Sequence, residues 1–318
     1  MNTPSDSQNN YFLKLDTLTK RYADHVAVNQ VSLSIPKAKI YGLLGPNGAG
    51  KTSIIRMITG ITAPDEGQIW FDNQPLEREH VYQMGYMPEE RGLYKKMKVG
   101  EQIVYLLRLR GLTKKEAQNQ SNTWLEKFEL VAWKDHKTND LSKGMQQKVQ
   151  FITTVAHNPK LLILDEPFSG LDPVNTKVIE SEIRRLKSEG TTIIFSTHRM
   201  EQVEELCDHI ALINQGQLMI EDQLDKVRRQ FQKNIYDLVF KGDVDYIHQI
   251  PHLDILSFSD IQAKIQLKEG TNAKKVLQYL AQSPLEIEVF ALNIPKLNDI
   301  FIELVQADNT HATAYTAT

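Results

Sequence analysis

Apolar residues alternate with polar ones near the start of the chain. Tyr11, Leu13 and Leu15 recur at every second position, as do Val26 and Val28, then Val31, Leu33 and Ile35. A period of two predicts strands with one face on a core and the other in water. The pattern then changes. "KIYGLLG" runs apolar into a glycine-rich turn, and "KTSIIRMITG" predicts a helix directly behind it. From about Val99 to Asn158 the spacing is mostly helical: Ile103, Leu106 and Leu107 mark one helix, and "KKEAQNQSNTWLEKFEL" marks a second. A third opens at "LSKGMQQKVQF", where Met145, Val149, Ile152 and Ala156 share a face.

"KLLILDEP" and "TTIIFST" are apolar without alternation, as strands buried on both faces are. Between them Pro173 to Glu189 predicts a helix, with Gly190 as its stop. Another helix follows, on which Cys207 keeps helical spacing with Met200, Val203 and Ile210. Strands alternating with helices predict an α/β domain with a parallel sheet. Past "INQGQL", a hairpin signal, "EDQLDKVRRQF" predicts a connecting helix. Then strands at "IYDLVF", "DILSFS", "AKIQLKEG" and "LEIEVFAL" interleave with helices near "VDYIHQI" and "NAKKVLQYLAQ", and "KLNDIFIELV" closes the series. That order, βαββαβ plus a helix, is the ferredoxin-like pattern. The expected division is a cassette over 11–220 and a small α+β domain over 225–307, with disordered ends at 1–10 and 308–318.

Composition narrows the class. The 318 residues suffice for two domains, and 41% apolar with 24% charged is ordinary for a globular protein. A net charge of −3 gives no bulk reason to bind nucleic acid, so no such partner is expected. One cysteine excludes an internal disulfide framework, and no apolar run approaches the ~18 residues of a membrane span. Work at a membrane would go through a partner.

The candidate chemistry sits in the glycine-rich turn. Gly45, Pro46, Asn47, Gly48, Ala49, Gly50, Lys51 and Thr52, followed by Ser53, fit G-x-x-x-x-G-K-[ST] between an apolar strand and a helix. Glycines let backbone N–H groups converge on phosphate oxygens, and the helix N-terminus adds partial positive charge. Lys51 supplies a point charge for the β- and γ-phosphates, and Thr52 a hydroxyl for Mg²⁺. "LLILDEP" adds two carboxylates at the end of a buried strand. In an extended chain they point to opposite sides, so Asp165 is expected to hold the metal through water and Glu166 to take a proton from attacking water.

Tyr22, "GPNGAGKT", "LSKGM", "LLILDEP", "SGLD" and "STH" occur in order and at suitable spacing. The set resembles the ATP-binding subunit of ABC transporters over about 11–218. The fold implied is the P-loop NTPase cassette: a parallel core sheet, an antiparallel β subdomain and a helical subdomain. The resemblance implies ATP and Mg²⁺ as ligands, Tyr22 stacked on adenine, His198 at the γ-phosphate, and Asp172 at a dimer interface. It makes "LSKGM" the signature that faces the phosphate loop of a second copy, with Ser142 capping its helix or touching the γ-phosphate and Gly144 allowing close approach. The partners implied are a transmembrane permease and a second copy of this chain, and the location is the inner face of the plasma membrane, from the cytoplasm.

Three positions depart from that pattern. Lys143 and Met145 stand where glycine and glutamine are common, and Glu89 of "YMPEERGLY" stands where a glutamine near Mg²⁺ is usual. Glu89 is retained as a metal-site residue. The C-terminal part resembles accessory domains of sodium- or drug-efflux ATPases, which favours export; it is a dimerisation or regulatory module, or a passive appendage. The competing class is a soluble ABC-type ATPase acting on nucleic acid or the ribosome, but neither an inserted coiled coil nor a second cassette is present in the sequence.

Overall fold

The computed structural model describes residues 11–90, 92–243 and 245–315. The chain divides into two compact units after Leu224. In the first, β1 (Tyr11–Tyr22) and β2 (His25–Pro36) form a long hairpin, followed by β3 (Ile40–Leu44), α1 (Lys51–Ile58), β4 (Glu66–Phe71), β5 (Gln74–Pro75) and β6 (Met84–Met87). Three helices come next, α2 (Val99–Leu109), α3 (Lys114–Lys127) and α4 (Lys143–Val155). Then β7 (Leu161–Asp165), α5 (Pro173–Ser188), β8 (Thr192–Thr197), α6 (Met200–Leu206), β9 (His209–Asn214) and β10 (Gln217–Gln223) complete the unit.

One sheet is antiparallel, in the order β2-β1-β4-β5; the other has the order β10-β9-β3-β8-β7-β6. In the second, β9, β3, β8, β7 and β6 run parallel, and β10 returns as a hairpin. Every residue of β3, β7 and β8 is buried, which accounts for their unbroken apolar runs. Register positions the chemistry. Leu44 pairs with Thr197, Asp165 with Ser196, and Met87 with Leu164. The segments after β3, β8, β7 and β6 therefore leave the sheet side by side, at the carboxyl ends where α/β sheets bind ligands.

Four details differ from the sequence expectation. The strands β4, β5 and β6 carry too little alternation to be predicted. α6 stops at Leu206, so Cys207 is a buried cap residue, and Ile210 belongs to β9. The helix expected from Glu221 starts at Leu224, because Glu221 stays in β10, accepting from the Tyr41 hydroxyl at 2.6 Å and the Ser34 N–H at 2.8 Å. Met145 is half-buried, and the inner face of α4 carries Gln147 and Gln150, whose amides donate to the carbonyls of Pro167 and Pro88 at 2.8 and 2.9 Å.

His157, just past α4, shares a 3.1 Å hydrogen bond with the Met84 carbonyl. Burial, aided by Arg110, pushes its pKa down to about 4. The unfolded chain titrates near 6.5, so it binds an extra proton between the two values and stability falls as pH drops through that window. His157→Gln is expected to cut the stability lost between pH 7 and 4 by about 2 kcal/mol, after discounting for partial exposure. Urea midpoints of both proteins at the two pH values check this; equal acid losses refute it.

The boundary falls at the start of α7 (Leu224–Gln230). The second unit contains β11 (Ile235–Lys241), α8 (Asp245–His248), β12 (Leu253–Phe258), β13 (Gln262–Leu267), α9 (Ala273–Gln282), β14 (Glu286–Leu292) and α10 (Leu297–Tyr315). Its sheet order, β12-β13-β11-β14 with antiparallel pairs, is that of a ferredoxin-like split βαβ. Leu238, Phe240 and Ile265 of the sheet cluster with Ile247 of α8 and Val276 and Leu280 of α9. The tail expected to be disordered from 308 instead continues α10 to Tyr315, over an alanine-containing stretch compatible with helix; 316–318 and the expected loose segment 1–10 lie outside the described residues.

Candidate functional site

The loop between β3 and α1 requires its glycines at two points. Gly45 and Gly50 have φ of 145° and 108°, and a Cβ on either would lie 2.1 Å from the Ile213 carbonyl oxygen or 2.4 Å from that of Ala27. The loop is also tied down: Gly216 donates to the Ala49 carbonyl at 2.9 Å, and Asn29 donates to that of Gly216 at 2.8 Å. Lys51, the first residue of α1, is 8% exposed. Its ammonium donates to the Gly45 and Pro46 carbonyls at 2.7 and 3.0 Å, which leaves one of its three N–H groups for a ligand. Burial lowers its pKa, opposed by the charges of Asp165, Glu166 and Glu89. One cation thus faces three carboxylates.

Asp165 ends β7 and is 6% exposed. Burial raises its pKa; the Ser196 hydroxyl lowers it, Glu166 and Glu89 raise it further, and Lys51 pulls it back. Glu166 is not extended, so strand alternation does not set the direction of its side chain. Its φ is +49°, in the left-handed region, and its N–H donates to the Ser196 carbonyl at 2.9 Å. This turn brings the Glu166 carboxylate to the end of β8. There it accepts from the His198 N–H at 2.8 Å and from the Thr197 hydroxyl at 3.1 Å, with the His198 ring Nδ1 at 2.6 Å. A non-glycine residue held in this region by its surroundings is the kind of local strain found at reactive centres.

Lys51, Asp165 and Glu166 line one cleft of about 430 Å³, whose lining does not include Gly45, Pro46 or His198. Its floor is Asn47 to Ser53, one wall is Asp165, Glu166 and the exposed Glu89, and the far end is Tyr22 and His25 at the β1–β2 turn. His25 and Ala27 were missed by the motif reading, because nothing in the sequence alone says that this hairpin turn reaches the phosphate loop. Among the described residues no group of three or more His, Cys, Asp or Glu is placed to hold a metal by itself. The Thr52 hydroxyl and the carboxylates therefore suit a hard cation that takes its remaining oxygens from phosphates and water.

Ser142 and Gly144 do not line the cleft. Ser142 caps α4, its hydroxyl accepting from the Met145 N–H at 3.3 Å, and Lys143 beside it is exposed. Around Gly144 this chain is roomy: an added Cβ would meet Leu171 at 3.6 Å and Asn175 at 3.8 Å, both ordinary contacts. Asp172 is exposed and caps α5 by accepting from the Asn175 N–H at 2.9 Å.

Comparison with known proteins decides the family. The ABC transporter family matches residues 28–169, and the family described as ATP-binding protein DrrA1-3-like, C-terminal domain, matches 223–305. YhaQ of Bacillus subtilis strain 168, an ABC transporter ATP-binding protein, is 42% identical over 297 residues that span 93% of this chain and 99% of its own. The chain belongs to the ABC transporter ATP-binding proteins. The linearmycin resistance ATP-binding protein LnrL of the same organism is 30% identical over 303 residues, 92% of this chain and 97% of LnrL. A solved ATP-binding subunit of an ABC transporter, 30% identical, superposes with a TM-score of 0.64 over 69% of this chain and 93% of its own. This ABC ATP-binding protein is thus an ATPase subunit with the cassette fold, and its glycine-rich turn from Asn47 lines the cleft at the ends of β3, β7 and β8.

Proposed function

We propose that this ABC ATPase is the motor of an exporter, peripheral on the inner face of the plasma membrane, and that two copies close head to tail around ATP and Mg²⁺ to drive a separate transmembrane permease. Among the described residues no helix is long and apolar enough to cross a membrane, so the pathway is assigned to another chain. Export is favoured by the DrrA-like C-terminal match and by the resistance function in LnrL's name.

In this reading the phosphate loop and Lys51 hold the triphosphate, and Tyr22 stacks on adenine. Thr52, Asp165 and Glu89 hold Mg²⁺, which supplies charge neutralisation at the phosphates. Glu166 takes the proton of the attacking water while His198 fixes its carboxylate and meets the γ-phosphate. The observation that carries the dimer is the split of the site. Lys51, Asp165, Glu166 and Glu89 share one cleft, to which His198 is joined through Glu166, whereas the capped N-terminus of α4 with Ser142 and Gly144 lies outside it, as expected for a segment serving the cleft of a second copy. Closure on ATP and opening after hydrolysis then convert ligand affinity into a conformational cycle.

Gly144→Ala separates this role from folding. The methyl fits this chain and raises helix propensity, so the melting temperature is expected to hold or rise. Against a second copy's triphosphate the same methyl overpacks the contact, and ATP-dependent dimerisation weakens about tenfold or more. Sedimentation in Mg²⁺–ATP, in a Glu166→Gln background, measures this; an unchanged dimer constant removes Gly144 from the interface. The exporter assignment is tested by co-purifying the membrane partner and asking which compounds stimulate ATP turnover. Salt-sensitive RNA binding with no membrane partner would overturn it.

A further inference from the structure

The ring expected to receive the adenine is not held by its own strand alone. Tyr22 ends β1, and it is 40% exposed at the lip of the cleft. Two residues before it, Lys20 turns its ammonium to 5.6 Å from the centre of the Tyr22 ring. That ammonium is fixed from the other side: it donates to the Ala63 carbonyl and to Asp65 Oδ1, both at 2.9 Å. The side chain of Lys20 is only 14% exposed, against 45% for Lys14 on the same strand.

Asp65 does more than pair with Lys20. Its other oxygen accepts from the Arg21 N–H at 2.6 Å, and its own N–H donates to the Thr19 carbonyl at 2.9 Å. One residue of the loop before β4 therefore grips Thr19, Lys20 and Arg21 in succession, where β1 is irregular on both of its pairings. Arg21 reaches across to Glu66 at 2.8 Å as well. The Lys20 ammonium and the Arg21 N–H hold the Asp65 carboxyl below the usual carboxylate range, so the clamp is charged at neutral pH.

From this geometry we infer that Lys20 and Asp65 are positioning residues for the nucleobase: they lay a fixed cation behind one face of Tyr22 and so present its other face to adenine. The inference rests on the proposed stacking role of Tyr22 and adds residues that touch neither base nor phosphate. The physical gain is preorganisation. An exposed tyrosine at a hairpin end samples several rotamers, and a ring already backed by a fixed ammonium loses less freedom when a base stacks on it.

The test compares ATP with magnesium tripolyphosphate, a ligand that has the phosphates without the base. Lys20→Met keeps the aliphatic stem and removes the cation; it is expected to raise the Kd and KM for ATP about fivefold, leave kcat within about twofold, and leave the tripolyphosphate Kd unchanged. Asp65→Asn should move ATP affinity the same way. Lys20→Arg, which keeps both the ion pair and the cation over the ring, should restore it. Lys20→Met added to Tyr22→Ala should cost nothing beyond Tyr22→Ala alone. A Lys20→Met protein with normal ATP affinity, or with equal losses for ATP and tripolyphosphate, overturns the inference while leaving Tyr22 in place. A Tyr22→Ala protein with normal ATP affinity overturns the stacking role and the inference together.

Discussion

Glu166→Gln is expected to lower steady-state ATP turnover by about 10²- to 10³-fold or more while ATP still binds. The substitution preserves shape. Its amide oxygen can go on accepting from the His198 N–H, and its NH₂ can donate to the Thr197 hydroxyl, so the left-handed turn at position 166 keeps its anchors. What disappears is the basic oxygen that would take a proton from water. With hydrolysis blocked and binding intact, Mg²⁺–ATP should accumulate a dimer that the unsubstituted protein forms only transiently. Single-turnover hydrolysis, a nucleotide titration and sedimentation of the same sample check the three parts. Turnover within tenfold of the unsubstituted protein would sink the assignment of Glu166 as the base.

The same residue shows where sequence reasoning stopped. "LLILDEP" was legible as a buried strand with acids at its end, since an unbroken apolar run bounded by charge suits a strand covered on both faces. The direction of the second acid was not, because alternation assumes an extended backbone and Glu166 leaves the strand at φ +49°. The anchors that hold it there, on Thr197 and His198, lie 31 and 32 residues further on. No local pattern records that β8 inserts between β3 and β7.

Elements with strong periodicity were read well: the alternating strands β1 and β2 and the βαββαβ order of the second unit. Short strands such as β6 were not. "MGYM" is four residues with little β-branched character, and its Gly85 is required by packing, since a Cβ there would sit 2.4 Å from the Thr154 carbonyl oxygen. The inner face of α4 was legible only in part. Helical spacing placed Met145, which is half-buried, with Val149 and Ile152, but that face is extended by two glutamines whose amides find carbonyl partners, a solution hidden from a hydrophobicity pattern. At the Tyr22 end of the cleft, the tyrosine was singled out by the family resemblance, whereas His25 in the same lining and the Lys20–Asp65 clamp depend on tertiary folding.

Lys51→Ala acts on binding itself, and its effect is expected to be the larger one for ATP affinity: a loss of about 100-fold, or ~2.7 kcal/mol. Two terms add. The charge-assisted contact to the phosphates is removed, and the carboxylates of Asp165, Glu166 and Glu89 are left facing an incoming polyanion without the one side-chain cation set against them. Lys51→Arg should not repair the loss, since a planar guanidinium does not fit a loop that cradles a single ammonium between the Gly45 and Pro46 carbonyls. Calorimetric titrations of ATP measure the loss. An unchanged affinity would remove Lys51 from the phosphate site.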